Sequence, residues 1–125
     1  MKIGTILWVI WTLVLLAVLL LPGGGITPFK DFQHWDKIAH FCLFAVTGFL
    51  SIYGATFFPK FRTRCIFGLI FGLTLAIGTE LGQSLIPSRT VSIFDFLADL
   101  AGLILGVLVY ILLYRKVSIR SRLRL

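Results

Sequence analysis

The chain has 125 residues, 58% of them hydrophobic and 14% charged, with a mean hydropathy of +1.01 and a formal net charge of +7. A soluble domain of this size leaves too much of its chain exposed to hide that apolar surface, so a soluble globular class is excluded and a bilayer is the expected solvent. The positive charge does not point to nucleic acid: the basic residues gather at Lys60/Arg62/Arg64 and Arg115/Lys116/Arg120/Arg122/Arg124, flanking hydrophobic runs as topology-setting residues do, and no nucleic-acid motif accompanies them.

A helix needs about 20 apolar residues to cross the hydrocarbon core. Four runs qualify. Residues 3–21 form the first, closed by Pro22 and three glycines; 38–57 form the second, ending near Pro59; 65–86 form the third, stopped by Pro87; and 94–114 form the fourth, ending at Arg115. Lys2 gives the first run the start of a signal peptide, but the run is long for one and no A-x-A-like site follows, so a retained span is expected. Short connections make consecutive helices antiparallel neighbours. The expected fold is all-α, a four-transmembrane-helix antiparallel bundle formed by a single membrane domain over residues 1–125.

Orientation follows from Lys and Arg. The loop between spans two and three and the C-terminal tail carry eight of the twelve basic residues. The other two loops carry Lys30, Lys37 and Arg89, offset by Asp31 and Asp36. The positive-inside rule then puts both termini in the cytoplasm and loops one and three outside, with Trp35 marking the outer interface. The chain is expected to cross its membrane several times. Cys42 and Cys65 are expected near opposite faces, too far apart for a disulfide, and read as small buried hydrophobes.

Only five carboxylates occur, and four of them, Asp36, Glu80, Asp95 and Asp99, lie in or beside polar strings at the outer ends of spans two, three and four. Acidic groups in an apolar span are costly and are kept where they face a protein interior or a wet cavity. Asp36 and His40 are four residues apart, as are Asp95 and Asp99, so each pair shares a helix face. Glu80, Gln83 and Ser84 share another. Gly68/Gly72, Gly78/Gly82 and Gly102/Gly106 are small-xxx-small pairs, which favour close helix packing.

Two readings attach to each polar residue. Glu80 is either an interhelical hydrogen-bonding group or, left without a cation, an acid or base. His40 is either a satisfied residue at a helix start or a base oriented by a carboxylate. Asp95 fits a first-turn acid favoured by the helix dipole, with Ser92 before it; Asp99, a turn deeper, does not. Lys37 and Arg89 either balance the acids or hold a phosphate. Glu80, His40 and Asp95 are therefore the candidate catalytic residues, and Asp36, Lys37, Gln83, Arg89 and Asp99 the candidate ligand-binding residues. One histidine among carboxylates is compatible with an oxygen-rich Mg, Mn or Ca site and poor for structural zinc, and no HExxH spacing occurs. No metal and no cofactor is expected.

These strings, in this order, resemble the VanZ-like family of small bacterial membrane proteins. DKIAHF at Asp36 to Phe41 is similar to its D-K-x-x-H-F signature. Glu80 to Gln83 is similar to its E-x-x-Q, Pro87 to Arg89 to its P-S-R, and Asp95 to Gly102 to its D-x-x-x-[N/D]-x-x-G. The family usually has Asn where this chain has Asp99. The resemblance spans Asp36 to about Gly106 and implies a polytopic protein of the cell envelope, associated through the founding member with teicoplanin resistance, an antibiotic-resistance role. The phosphotransbutyrylase label given to some relatives finds no support, since no acyl-CoA or soluble phosphate-binding pattern occurs.

Two functions are in play. One is an outer-leaflet site that binds or processes a phosphate-bearing envelope lipid, with Glu80 or His40 as acid or base and Arg89 on the anion. The other is a non-catalytic structural or partner-binding factor whose polar cluster holds the helices together. Whether the chain is an enzyme stays open. The expected partners are membrane lipids and a lipid-linked envelope precursor, with no nucleic acid; assembly with further copies of the chain is left open.

Overall fold

The computed structural model describes residues 2–21, 33–87 and 91–124. The described residues form four α-helices, α1 (Ile3–Leu20), α2 (Gln33–Gly54), α3 (Phe61–Ser84) and α4 (Ile93–Leu123). All four are long and apolar enough to cross a membrane, as the hydrophobic runs predict.

The bounds depart from those runs in instructive ways. α2 begins at Gln33 rather than at residue 38, so the polar start is already helical, with Asp36 in the first turn where the helix dipole favours an acid. It stops at Gly54 and gives way to a turn in which Phe58 N–H donates to Ala55 at 3.2 Å. α3 starts four residues early, at Phe61, and Phe61 stacks on Tyr114 of α4 with ring centroids 4.0 Å apart. α4 continues to Leu123, nine residues beyond the apolar run. Its 31 residues reach roughly 46 Å at about 1.5 Å per residue. That exceeds a hydrocarbon core of about 30 Å. The basic tail is therefore a helical extension, with Arg120 and Arg122 at the C-terminal end of the dipole.

α1 runs antiparallel to α2. Thr5 donates to the Gly54 carbonyl at 2.9 Å near one end, and Trp11 Nε1 donates to Thr47 Oγ1 at 3.0 Å further along. Trp8 packs edge-on against Phe71 and Phe67 of α3, at 4.9 and 5.5 Å. Gln83 Nε2 donates to the Leu19 carbonyl at 3.1 Å at the other end, so α1 and α3 are parallel. Leu15 and Leu19 of α1, Phe44 and Ile52 of α2, Ala76 of α3, and Leu103 and Val107 of α4 make the apolar core.

The closest approach is between α2 and α4, which run parallel. A methyl group on Gly102 would fall on the Phe41 carbonyl oxygen, and one on Gly106 on that of Ala45. Gly48 answers from α2, where a methyl would lie 2.5 Å from the Leu103 carbonyl oxygen. Gly68 and Gly72 make room for side chains instead, Ile52 and Leu103 respectively, while Gly78 faces open space. The small-residue pairs are thus not equivalent; Gly102/Gly106 brings backbone onto backbone.

Gly106→Ala should lower the thermal stability of the detergent-solubilised protein by the equivalent of about 1–3 kcal/mol, because the packed backbone of α2 cannot yield as a side chain does. Gly78→Ala is the matched control and should leave stability unchanged or raise it by about 0.5 kcal/mol. Equal melting temperatures for the two variants would refute the contact.

Candidate functional site

The face of α4 that carries Gly102 and Gly106 also carries Asp95 and Asp99, at helical spacings of three and four residues. Close packing on α2 therefore draws both carboxylates into the bundle, and their residues are 3% and 0% exposed. The facing turn of α2 supplies His40, 1% exposed, and the last turns of α3 supply Glu80, 8% exposed. Three helices contribute to one buried cluster.

Its geometry falls into two linked parts. His40 Nδ1 lies 2.8 Å from Asp99 Oδ1 and 4.0 Å from Glu80 Oε1. Lys37 Nζ donates to Asp95 Oδ1 at 3.3 Å, tying the start of α2 to the start of α4. Asp36, His40 and Asp95 present potential ligand atoms within 4.8 Å of one another, and so do His40, Glu80 and Asp99. His40 belongs to both sets and joins them.

The cluster is incompletely satisfied. Among the described residues, His40 Nε2, both oxygens of Glu80 and Asp99 Oδ2 are buried without a hydrogen-bond partner. Buried polar groups are nearly always paired in native structures, and an unpaired one costs about 1–3 kcal/mol. Four such atoms belong to three neighbouring side chains, His40, Glu80 and Asp99.

Glu80 also lines a groove of about 260 Å³ between α3 and α4, walled by Ile77, Leu81, Val91, Ile93 and Phe96, with Ser92 beside it. The groove is open-sided and largely apolar. Both oxygens of the Glu80 carboxylate are buried beside it.

A family model described as VanZ/LLP1 matches residues 5–114. The chain belongs to that family. Neither the comparison with curated proteins nor that with solved structures gives a match. Within this VanZ/LLP1 chain, the DKIAHF string, Glu80 of E-x-x-Q and the D-x-x-x-D string supply the residues that meet in the buried cluster.

The sequence-derived site residues divide accordingly. Asp36, Lys37, His40, Glu80, Asp95 and Asp99 come together. Gln83 is buried but its amide nitrogen is bonded to α1, and Ser84, on the same face by spacing, is exposed and donates to the Leu81 carbonyl at 2.6 Å. Ser92 is the N-cap of α4, accepting from Phe94 N–H at 3.2 Å, which places Asp95 in the first turn. Arg89 lies outside the described residues, as do Lys30 and Asp31. Sequence reasoning named Glu80 and Ser92 but not the apolar groove residues. A signal existed for one of them, since Ile77 is three residues before Glu80 and shares its side of α3.

The Lys37–Asp95 pair yields a double-mutant test. Lys37→Met leaves a buried Asp95 without its cation, so it should destabilise the solubilised protein more than Lys37→Met/Asp95→Asn does. The expected coupling is on the order of 1 kcal/mol by thermal unfolding, within the range of polar contacts between membrane helices. Additive effects would show that the pair is incidental.

Proposed function

We propose that this VanZ/LLP1 protein binds the phosphate-bearing headgroup of an envelope lipid at the Asp36–Lys37–His40–Glu80–Asp95–Asp99 cluster, in the outer leaflet of a bacterial cytoplasmic membrane. One observation supports the reading: Glu80 lines an apolar groove between α3 and α4, and neither oxygen of its buried carboxylate has a partner among the described residues. A lipid matches both parts. Its chain lies along Ile77, Leu81, Ile93 and Phe96, and its headgroup meets Glu80, His40 and Lys37. Lys37 supplies a point-charge contact to the anion. If the bound headgroup is processed, Glu80 and His40 are the groups placed to move a proton, with Asp99 orienting the ring.

The outward orientation rests on charge. Lys60, Arg62 and Arg64 precede or open α3, and Arg115, Lys116, Arg120 and Arg122 close α4, so the basic end of the bundle is opposite the acidic cluster. The positive-inside rule then makes the basic end cytoplasmic.

The structural reading also has an observation in its favour. His40–Asp99, Lys37–Asp95 and Gln83–Leu19 each join two helices. Such contacts average only about 0.6 kcal/mol in membranes, but several together specify one packing. That reading explains the bonded atoms of the cluster; the unbonded ones favour a ligand.

The test is a lipid and envelope-precursor profile of cells lacking the protein, complemented by wild type or by Glu80→Gln at matched membrane levels. The headgroup reading predicts an altered phosphate-bearing lipid in the deletion, restored by wild type alone. Restoration by Glu80→Gln would leave the network reading in its place. Topology is checked separately: a fluorescent protein fused at the C-terminus should light in the cytoplasm, and a cysteine placed at Val91 should react with a membrane-impermeant thiol reagent from outside. The reverse pattern would invert the site.

A further inference from the structure

Asp36, Glu80, Asp95 and Asp99 gather four carboxyl groups around one imidazole and a single described cation, Lys37. A phosphate brought to that cluster would meet excess negative charge at low dielectric, where repulsion is strongest. The same excess is what a divalent cation neutralises, and bound cations invert the electrostatics of the site that holds them.

We infer that His40, Glu80 and Asp99 form a binding site for a divalent cation of the Mn²⁺/Mg²⁺ class, through which the cluster accepts an anionic headgroup. The inference rests on the headgroup reading for its second clause and on geometry for its first. At metal–ligand bonds of about 2.1 Å, adjacent ligands of an octahedral ion lie about 3 Å apart and opposite ones about 4.2 Å. His40 Nδ1 is 2.8 Å from Asp99 Oδ1, a hydrogen bond that metal ligation would replace, and 4.0 Å from Glu80 Oε1; these separations are close to one adjacent and one opposite pair. All three side chains are at least nine-tenths buried, and Glu80 Oε1, Glu80 Oε2 and Asp99 Oδ2 have no partner among the described residues.

Asp36 and Asp95 offer carboxylate oxygens within 4.8 Å of a ring nitrogen of His40, whose Nε2 has no hydrogen-bond partner among the described residues. Two carboxylates with one imidazole suit Mn²⁺, which takes oxygen donors readily and tolerates nitrogen, better than the thiolate-rich or multi-histidine sets of zinc. Three protein ligands leave positions for water or for a phosphate oxygen arriving past Glu80. The proposed site departs from the expectation, drawn from the sequence, that no metal is used.

The test uses the full chain in phosphatidylcholine nanodiscs, stripped with EDTA and titrated with Mn²⁺, reading the free-ion signal by electron paramagnetic resonance. The expected result is one Mn²⁺ per chain, an affinity at least tenfold weaker in Glu80→Gln and in Asp99→Asn, and a ¹⁴N coupling in the pulsed spectrum of wild type. The coupling needs no variant, so a variant that fails to fold does not decide the matter. Absence of Mn²⁺ binding by wild type, or equal binding by well-folded variants, overturns the cation site. A second arm adds a polyprenyl monophosphate to the nanodiscs with and without Mn²⁺. Retention that needs the ion supports both clauses. Retention without the ion, lost in Glu80→Gln, keeps the headgroup reading and overturns the bridging role. A bound ion with no lipid retention keeps the cation site and overturns the headgroup reading.

Discussion

The contact between the backbones of α2 and α4 is the constraint from which the rest of the structure follows. Glycine at 102 and 106 lets α4 lie on the Phe41 and Ala45 carbonyls, with no side chain between. Helices in lipid gain little from hydrophobic burial against each other, so close packing of this kind is a principal source of association. Because Asp95 and Asp99 continue the glycine face, the packing that holds α4 also decides where its acids go. They are carried into the bundle, against His40, rather than out to lipid. α3 then closes the third side with Glu80, and Gln83 fastens α3 to α1.

Burial on that scale demands partners, and the protein supplies only some. Asp95 has Lys37, and Asp99 and His40 have each other. Glu80 is the exception, held 4.0 Å from His40 with both oxygens unbonded among the described residues, beside an apolar groove. A network evolved only to fix helices would place its acid within bonding distance of a donor. An acid held short of one, beside a groove lined by Ile77, Leu81, Ile93 and Phe96, underlies the proposed site, which a lipid headgroup and a divalent cation would complete.

Much of this was legible in the sequence. The four apolar runs gave the helices, since hydrophobic length alone decides a span. The i, i+4 spacings of Asp36/His40 and Asp95/Asp99 put each pair on one face, and antiparallel succession brought three polar strings to one end. What spacing could not give was the partner of each residue. Gln83 shares a face with Glu80 yet its amide bonds to the Leu19 carbonyl, because the register of α1 against α3 depends on Trp8 and the phenylalanines of α3. The three glycine pairs looked alike, although only the α4 pair meets backbone. The helical start of α2 and the long helical tail of α4 were hidden for another reason: charged residues end a hydrophobic run without ending a helix.

The most direct measurement is photocrosslinking from the groove itself. A photoreactive side chain at Leu81, in the groove wall, is compared with one at Ile70, an exposed position on α3 away from it, and the lipid adducts are identified by mass spectrometry. The account predicts that the Leu81 adducts are enriched in a phosphate-bearing lipid over the Ile70 adducts, and that Glu80→Gln abolishes the enrichment. Identical adducts at the two positions, both matching the bulk membrane, would contradict it and leave the cluster as a device that holds the helices together.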